Sequence, residues 1–390
     1  MKLARASICA VLVLALGCGD SDHGGTAASL TVHPGQSIQA AVDAAAPGDT
    51  ITVMPGDYTE TNPGPAAVRI TKPLKLIAES KLPDVKVRIL PGPGQNHGIL
   101  VEPANPGDPD IDGVEINGFT VEGFSNMGIW LRHVKNFTIE NNESINNLEN
   151  GIWPTLSANG LVKNNVAYGS QDSALWVEAS ENVRVLNNDL HSSPTGLEIT
   201  VSNEITVESN EVHDNTIGIG LYHPATAGLP PLQPLEKNGY WHIVDNYVHD
   251  NNAPNTAAEG SETSQLPYGG GILLLGVDHV DLQNNRVENN DFFGIGMIDY
   301  CLAVLGTDFD CAINPPEVAD TVPDYDQVIG NNLANNHGAP PPGPFEGDAA
   351  DLLKITIPGT GTTDCFSNNT INNTPPLLPR TIPNPLPVCG

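Results

Sequence analysis

Apolar and polar residues alternate with period two along most of this chain, and the alternation recurs in a fixed phrase. Its form is Gly-Ile-x-Leu-x, a few turn residues, an alternating run, an Asn pair and another short alternating run. The copies start at Gly128, Gly151, Ala174, Gly196, Gly218, Gly271 and Gly294. The first five are spaced by 23, 23, 22 and 22 residues. A constant step of this size marks a stacked repeat architecture. Period two marks strands, not helices.

The second half of each copy repeats as regularly: Asn141-Asn142, Asn164-Asn165, Asn187-Asn188, Ser209-Asn210, Asp245-Asn246, Asn284-Asn285, Asn331-Asn332 and Asn368-Asn369. Asn tolerates the left-handed backbone that a sharp bend requires, and its amide both donates and accepts. Stacked copies are therefore expected to form a hydrogen-bonded ladder along the fold axis. About 22 residues are too few for a strand and a returning helix, since a βαβ unit needs roughly 30. They suffice for three short strands and three bends, with each strand pairing in parallel with its equivalent one coil away. The expected fold is an all-β parallel β-helix, a solenoid whose inward residues stack into one apolar column.

Departures from the repeat set the organisation. Ser37 can cap a short helix over Ile38 to Ala46, with Ile38, Ala41, Val42 and Ala45 on one face and Pro47-Gly48 as the stop. An open solenoid end exposes apolar core, and this helix is the expected lid. Long loops interrupt the rhythm at 223–240, 250–270 and 299–326. The first and third leave from the same bend and are expected to rise as a wall on one edge, carrying function or shielding strands. The organisation is read as residues 1–17 signal peptide, 18–30 tether, 31–374 β-helix domain and 375–390 Pro-rich tail. Abundant Gly (39) and Pro (34) with few aromatics (5%) suit many bends between short strands, and a solenoid core grows by added coils, so one elongated domain is expected.

Lys2 and Arg5 precede an apolar run from Ile8 to Leu16 that is too short to span a membrane, the pattern of a signal peptide. Gly17-Cys18 resembles a bacterial lipobox, which implies lipidation of Cys18 and a cell-envelope location, periplasmic or surface; without it the chain is secreted. Four further cysteines, Cys301, Cys311, Cys365 and Cys389, then lie in an oxidising compartment. Three pairings are open to them, of which Cys301–Cys311 with Cys365–Cys389 is the local one. The net charge of −30 repels nucleic acid, restricts membrane contact to a lipid anchor, and disfavours a polyuronate ligand unless a divalent cation bridges the carboxylates.

The segment Ser37 to Tyr58, a helix followed by Gly48-Asp49-Thr50-Ile51 and Pro55-Gly56-Asp57-Tyr58, resembles the opening of right-handed parallel β-helix proteins of the pectin-lyase-like superfamily. From Gly128 onward, Asn150-Gly151-Ile152-Trp153-Pro154, Ala167 to Ala174, Gly196-Leu197-Glu198-Ile199 and Gly228-Leu229-Pro230 resemble bacterial parallel β-helix repeat-containing lipoproteins of unsettled function. The resemblance covers most of Ser37 to Asn336 and implies a fold, not an activity, since β-helices host lyases, epimerases, hydrolases and adhesins alike. Acid clusters of the polygalacturonase kind and the Asp-Pro-His-Asp run of alginate epimerases are missing from the sequence.

Candidate chemistry follows from the alternation. With Ile and Leu of each Gly-Ile-x-Leu-x inward, the first outward column reads Leu100, Trp130, Trp153, Trp176, Glu198, Gly220, Leu273 and Gly296. Three consecutive indoles, one per ~4.8 Å, are expected to form a flat apolar strip with N–H groups at its rim, a surface for the CH face of a sugar. The second column contains Arg132, Glu178 and Tyr222, followed by His223. Glu178 and Glu198 lie diagonally, with Cα atoms roughly 8 Å apart, as an acid and base of glycoside hydrolysis would. Arg132 would orient a substrate acid group, and Tyr222 with His223 would move a proton in a lyase or epimerase. A further column, Tyr168, His191, His213, His249 and Glu288, is a weak metal candidate, because ligands in line do not make a tetrahedron. Asp308-Phe309-Asp310 and Asp320 to Asp326 are weak calcium loops. Two functions follow: a monomeric envelope protein that binds and processes a carbohydrate polymer on the Trp-lined face, or a non-catalytic scaffold binding another envelope protein through its loops.

Overall fold

A computed structural model of the chain describes residues 29–79, 85–222, 239–261, 263–300, 321–342, 347, 349–356, 363–372 and 388–389. Three parallel sheets of twelve, ten and eleven strands run its length, each coil giving one strand to each sheet. The solenoid expected from the 22-residue step is therefore observed. The repeated phrase sets the register: Ile129 pairs with Ile152, Leu175 with Leu197, and Leu197 with Ile219. Inward Ile, Leu and Val residues form one continuous core from Val32 to Phe366. Trp241 joins this core, its indole N–H donating to the Ser202 carbonyl at 3.0 Å.

The helix runs Ile38–Ala44, and Ser37 caps it by accepting the Ala40 N–H at 3.0 Å. Glu60 strengthens the cap, accepting from the Ile38 N–H and the Ser37 hydroxyl, both at 2.6 Å. Ile38 and Val42 face the first coil as the lid requires. The first strand, Ser29–Val32, precedes this helix and pairs with Thr50–Val53.

The Asn pairs divide the work of the bend. The first members, such as Asn141, Asn164 and Asn187, adopt φ of +53° to +57°. The second members are buried and form the ladder: Asn188 Oδ1 accepts from the Asn165 N–H and amide, both 2.9 Å, while its own amide donates to Asn210 at 2.9 Å and to the Val162 carbonyl at 3.1 Å. One coil is shifted. Gly330 takes the left-handed bend (φ +69°), so Asn331 is the ladder member and Asn332 already belongs to the next strand. A sister ladder through Asn215, Asn251, Asn290 and Asn336 ends on Asp351. Lys354 stands in register with inward Met297 and is buried against Asp364 in the last coil. Cys365 and Cys389 form a disulfide with Cα atoms 4.8 Å apart.

Candidate active site

The outer face of the ten-stranded sheet brings the candidate residues together. Cα register places Trp130 beside Trp153, Trp176 beside Glu198, and Glu198 beside Gly220. The second outward column runs Arg132, Thr155, Glu178, Thr200 and Tyr222. Glu178 and Glu198 thus lie on the expected diagonal.

The indoles point outward, but they do not lie flat. Trp130 and Trp153 stack with ring centroids 5.0 Å apart and planes 2° apart, and Trp153 and Trp176 stack at 4.9 Å and 5°. Coplanar rings cannot approach this closely, so the indoles stand on edge as a ladder and cover one another's faces. The expected flat strip is corrected accordingly: partly exposed ring edges meet solvent. Nor do the N–H groups form a rim. Trp176 Nε1 donates to Thr200 Oγ1 at 2.9 Å, Trp153 Nε1 is buried facing Glu178 short of a full hydrogen bond, and Trp130 Nε1 is buried with no partner among the described residues. At the head of the ladder Arg132 lies 5.0 Å from the Trp130 ring centroid and 3.7 Å from Glu102, which also pairs with Arg69 at 3.1 Å. Arg132 is therefore shared between a ring and a carboxylate.

The ladder shields an acidic cluster. Glu178 is 1% exposed, and burial raises its pKa from 4.5 to about 7 against the opposing hydrogen bond from Thr155 (3.2 Å) and the facing indole N–H of Trp153. Asp172 pushes it the same way and Arg132 the other. Asp172 is itself raised by burial, although the Thr263 hydroxyl donates to it at 2.5 Å and, with the nearby Asn150 amide, opposes the rise. Glu149, one repeat earlier in the same turn, is raised by burial and by Asp172. Glu198 accepts from the Ser173 hydroxyl at 2.5 Å. Tyr222 folds back over Gly220, where an added Cβ would meet its hydroxyl at 2.3 Å. Burial and the nearby charges of Glu198 and Asp172 hold this phenol well above its usual pKa. Its hydroxyl faces Thr195, but neither oxygen completes a hydrogen bond among the described residues.

Sequence reasoning missed Asp172, Glu149 and Thr263. The first two were within reach, because they are 23 residues apart, one coil, so stacking of their turns brings two carboxyls together. Thr263 gave no signal: it comes from the 250–270 loop, which returns across the face to a residue 91 positions earlier. His223, Cys18, Cys301, Cys311 and Asp308-Phe309-Asp310 lie outside the described residues, as do most of the first and third long loops. Cys365 and Cys389 are the cysteines seen joined.

The histidine column is present on the eleven-stranded sheet. Tyr168, His191, His213 and His249 stack at 4.6, 4.9 and 5.1 Å. Asp214 (2.7 Å) and Asp189 (3.1 Å) hold the two nitrogens of His213 and raise its pKa to about 9, Asp189 contributing most. Among the described residues no group of three or more His, Cys, Asp or Glu side chains is arranged to hold a metal ion.

Comparison with known proteins agrees with the fold. The family description "Right handed beta helix region" matches residues 97–229. No curated protein matches the sequence. Among solved structures the chain resembles the A-module of the mannuronan C-5 epimerase AlgE4 of Azotobacter vinelandii, with TM-score 0.58, 13% identity, and 90% of this chain and 92% of that one covered. A periplasmic alginate epimerase, AlgG, gives 0.54 at 14% identity, covering 88% and 72%. DFA-IIIase of Arthrobacter chlorophenolicus gives 0.51 at 14%, covering 90% and 92%. The chain has a right-handed parallel β-helix fold; at these identities the solved structures share that fold and no more.

Proposed function

We propose that this chain is an extracytoplasmic carbohydrate-processing β-helix whose reaction centre is the cluster of Asp172, Glu178, Glu198 and Tyr222. One observation carries the reading. Carboxyl groups with raised pKa values are gathered on the outer face of a solenoid, beside a buried phenol that has no hydrogen-bond partner among the described residues. Perturbed titrating groups of this kind concentrate at functional sites. With a pKa of about 7, Glu178 is about half protonated at neutral pH, and that protonated fraction can act as general acid. Asp172, only partly buried by area, is the carboxyl a ligand meets first and serves as its partner. The buried hydroxyls of Tyr222 and Thr195 lack partners in the described structure, and a polyol entering the site would supply them.

The same centre serves bond cleavage and proton abstraction beside a sugar carboxylate, but charge favours the first. Four carboxyls surround the site, the chain carries a net charge of −30, and Arg132 is already engaged, so an uncharged glycan is the preferred substrate. Kinship of fold with two epimerases named for mannuronan and alginate supports a saccharide ligand and leaves the reaction open. Arg132 and the Trp130, Trp153 and Trp176 edges would border the substrate. The disulfide between Cys365 and Cys389 supports an oxidising, extracytoplasmic compartment, as the signal-like N-terminus implies, with Cys18 as the proposed lipid anchor.

The test is a glycan panel containing β-glucan, xylan, mannan, inulin, peptidoglycan, alginate and pectate, assayed for reducing ends, unsaturated products and changes in sugar configuration by NMR. Wild-type protein should turn over an uncharged member, with Glu178→Gln and Asp172→Asn each losing that activity. Turnover unaffected by both substitutions would place the chemistry elsewhere. A scaffold role is favoured instead if no glycan binds and deletion of residues 251–268 releases a co-purifying envelope protein.

A further inference from the structure

The outer face that holds the acidic cluster is asymmetric along the solenoid axis. Toward the N-terminus, Trp176, Trp153 and Trp130 are partly exposed, and the side chains of Arg132, on the Trp130 strand, and Arg69, two strands beyond it, are 36% and 40% exposed. Toward the C-terminus the same face is filled. Ile217, Leu273, Phe293 and Tyr300 belong to a second apolar cluster outside the bore, against which Leu266 and Tyr222 pack. The 250–270 loop fixes this barrier in place. Asn255 Nδ2 donates to the carbonyls of Thr263 (2.8 Å) and Leu266 (3.0 Å), and the Gly269 N–H donates to those of Asn251 and Thr216. From that anchored position Thr263 reaches the Asp172 carboxyl.

We infer that the site is a blind groove and that the protein acts on the end of a glycan chain. This rests on reading the cluster around Glu178 as a carbohydrate site. A polymer following the sheet over the Trp edges would reach the strand of Glu198 after three strand spacings, roughly 14 Å from the strand of Trp130. It would meet Thr263 at the turn of Asp172, beside the strand of Glu178, and Leu266 with the apolar wall beyond Glu198. An internal sugar must continue past the reacting carboxyls, and the wall leaves no path for it; a terminal sugar can stop there. The groove gives room to a few sugar units on the open side, bordered by indole edges and by the Arg132–Glu102 pair.

The experiment follows product size with time for the panel member that wild-type protein turns over. The expected result is one short product from the earliest time point, with viscosity falling late relative to reducing-end formation, and loss of turnover when both chain ends are chemically blocked. For a reaction without cleavage, converted residues should be confined to chain ends by NMR. The double substitution Thr263→Val with Leu266→Ala loosens the barrier and should shift the products toward mixed internal fragments. Glu178-dependent turnover that gives a ladder of sizes with early viscosity loss overturns the blind groove while leaving the site intact. Absence of Glu178-dependent turnover across the whole panel overturns the site and the groove together.

Discussion

Substituting Glu178 by Gln tests the electrostatics of the site without reference to any substrate. The carboxyl is 1% exposed and its pKa is raised from 4.5 to about 7, so the folded protein holds a proton that the unfolded chain releases. Below pH 4.5 both states are protonated and this group does not oppose folding. As pH rises from 4.5 to about 7 the unfolded state ionises first, and stability is lost; above that the loss is constant. Each pH unit is worth about 1.4 kcal/mol, so the full effect is roughly 3 kcal/mol. Gln resembles the protonated carboxyl and does not titrate. Urea denaturation of both proteins at pH 4 and pH 8 reports the group together with its coupling to Asp172, because titrations elsewhere cancel between them. The destabilisation on going from pH 4 to pH 8 should be about 3 kcal/mol larger for wild type than for Glu178→Gln. A difference under about 0.5 kcal/mol would mean that the carboxyl ionises freely, and the acid role assigned to it would fail.

Other substitutions address separate links of the account. Asn188→Ala removes the acceptor of two buried donors and the donor to two acceptors; at about 1–3 kcal/mol for each orphaned buried group, several kcal/mol should be lost in denaturation, and a loss under about 1 kcal/mol would contradict a structural ladder. Gly220→Ala places a carbon 2.3 Å from the Tyr222 hydroxyl; it should displace the ring, altering Tyr222 fluorescence and lowering turnover, while an unchanged spectrum with full activity would remove Tyr222 from the site. His213 should titrate near 9 by NMR and move toward its ordinary 6.5 in Asp189→Asn. Because its pKa is raised, its stabilisation is complete below 6.5 and lost as pH rises through about 9, and an unshifted wild-type titration would deny the ion pairing.

Much of this arrangement was legible in the residues because a solenoid converts sequence period directly into spatial neighbourhood. Positions 130, 153 and 176 are adjacent in space because they are 23 apart in sequence, and the histidine column followed from the same arithmetic. Alternation also gave the side of the sheet. Neither consideration constrains side-chain torsions, so alternation predicts a flat strip where the outward indoles form a stack of rings on edge. Asn331 shows another limit, since Gly330 satisfies the bend as well as Asn does and shifts the pair by one residue. Asp172 sits in a turn, where alternation says nothing about direction. The return of Thr263 across the face depends on the path of a loop, to which no repeat applies.

The central claim is that the face beside the Trp ladder receives a saccharide at Asp172 and Glu178. Its most direct test is a crystal structure of the Glu178→Gln protein soaked with an oligosaccharide of the glycan that wild type turns over. A terminal sugar within hydrogen-bond distance of Asp172 and the 178 side chain, with the rest of the chain passing over the indole edges toward Arg132, is the predicted result. A saccharide bound on the histidine face, or running unbroken past Thr263 and Leu266, contradicts it.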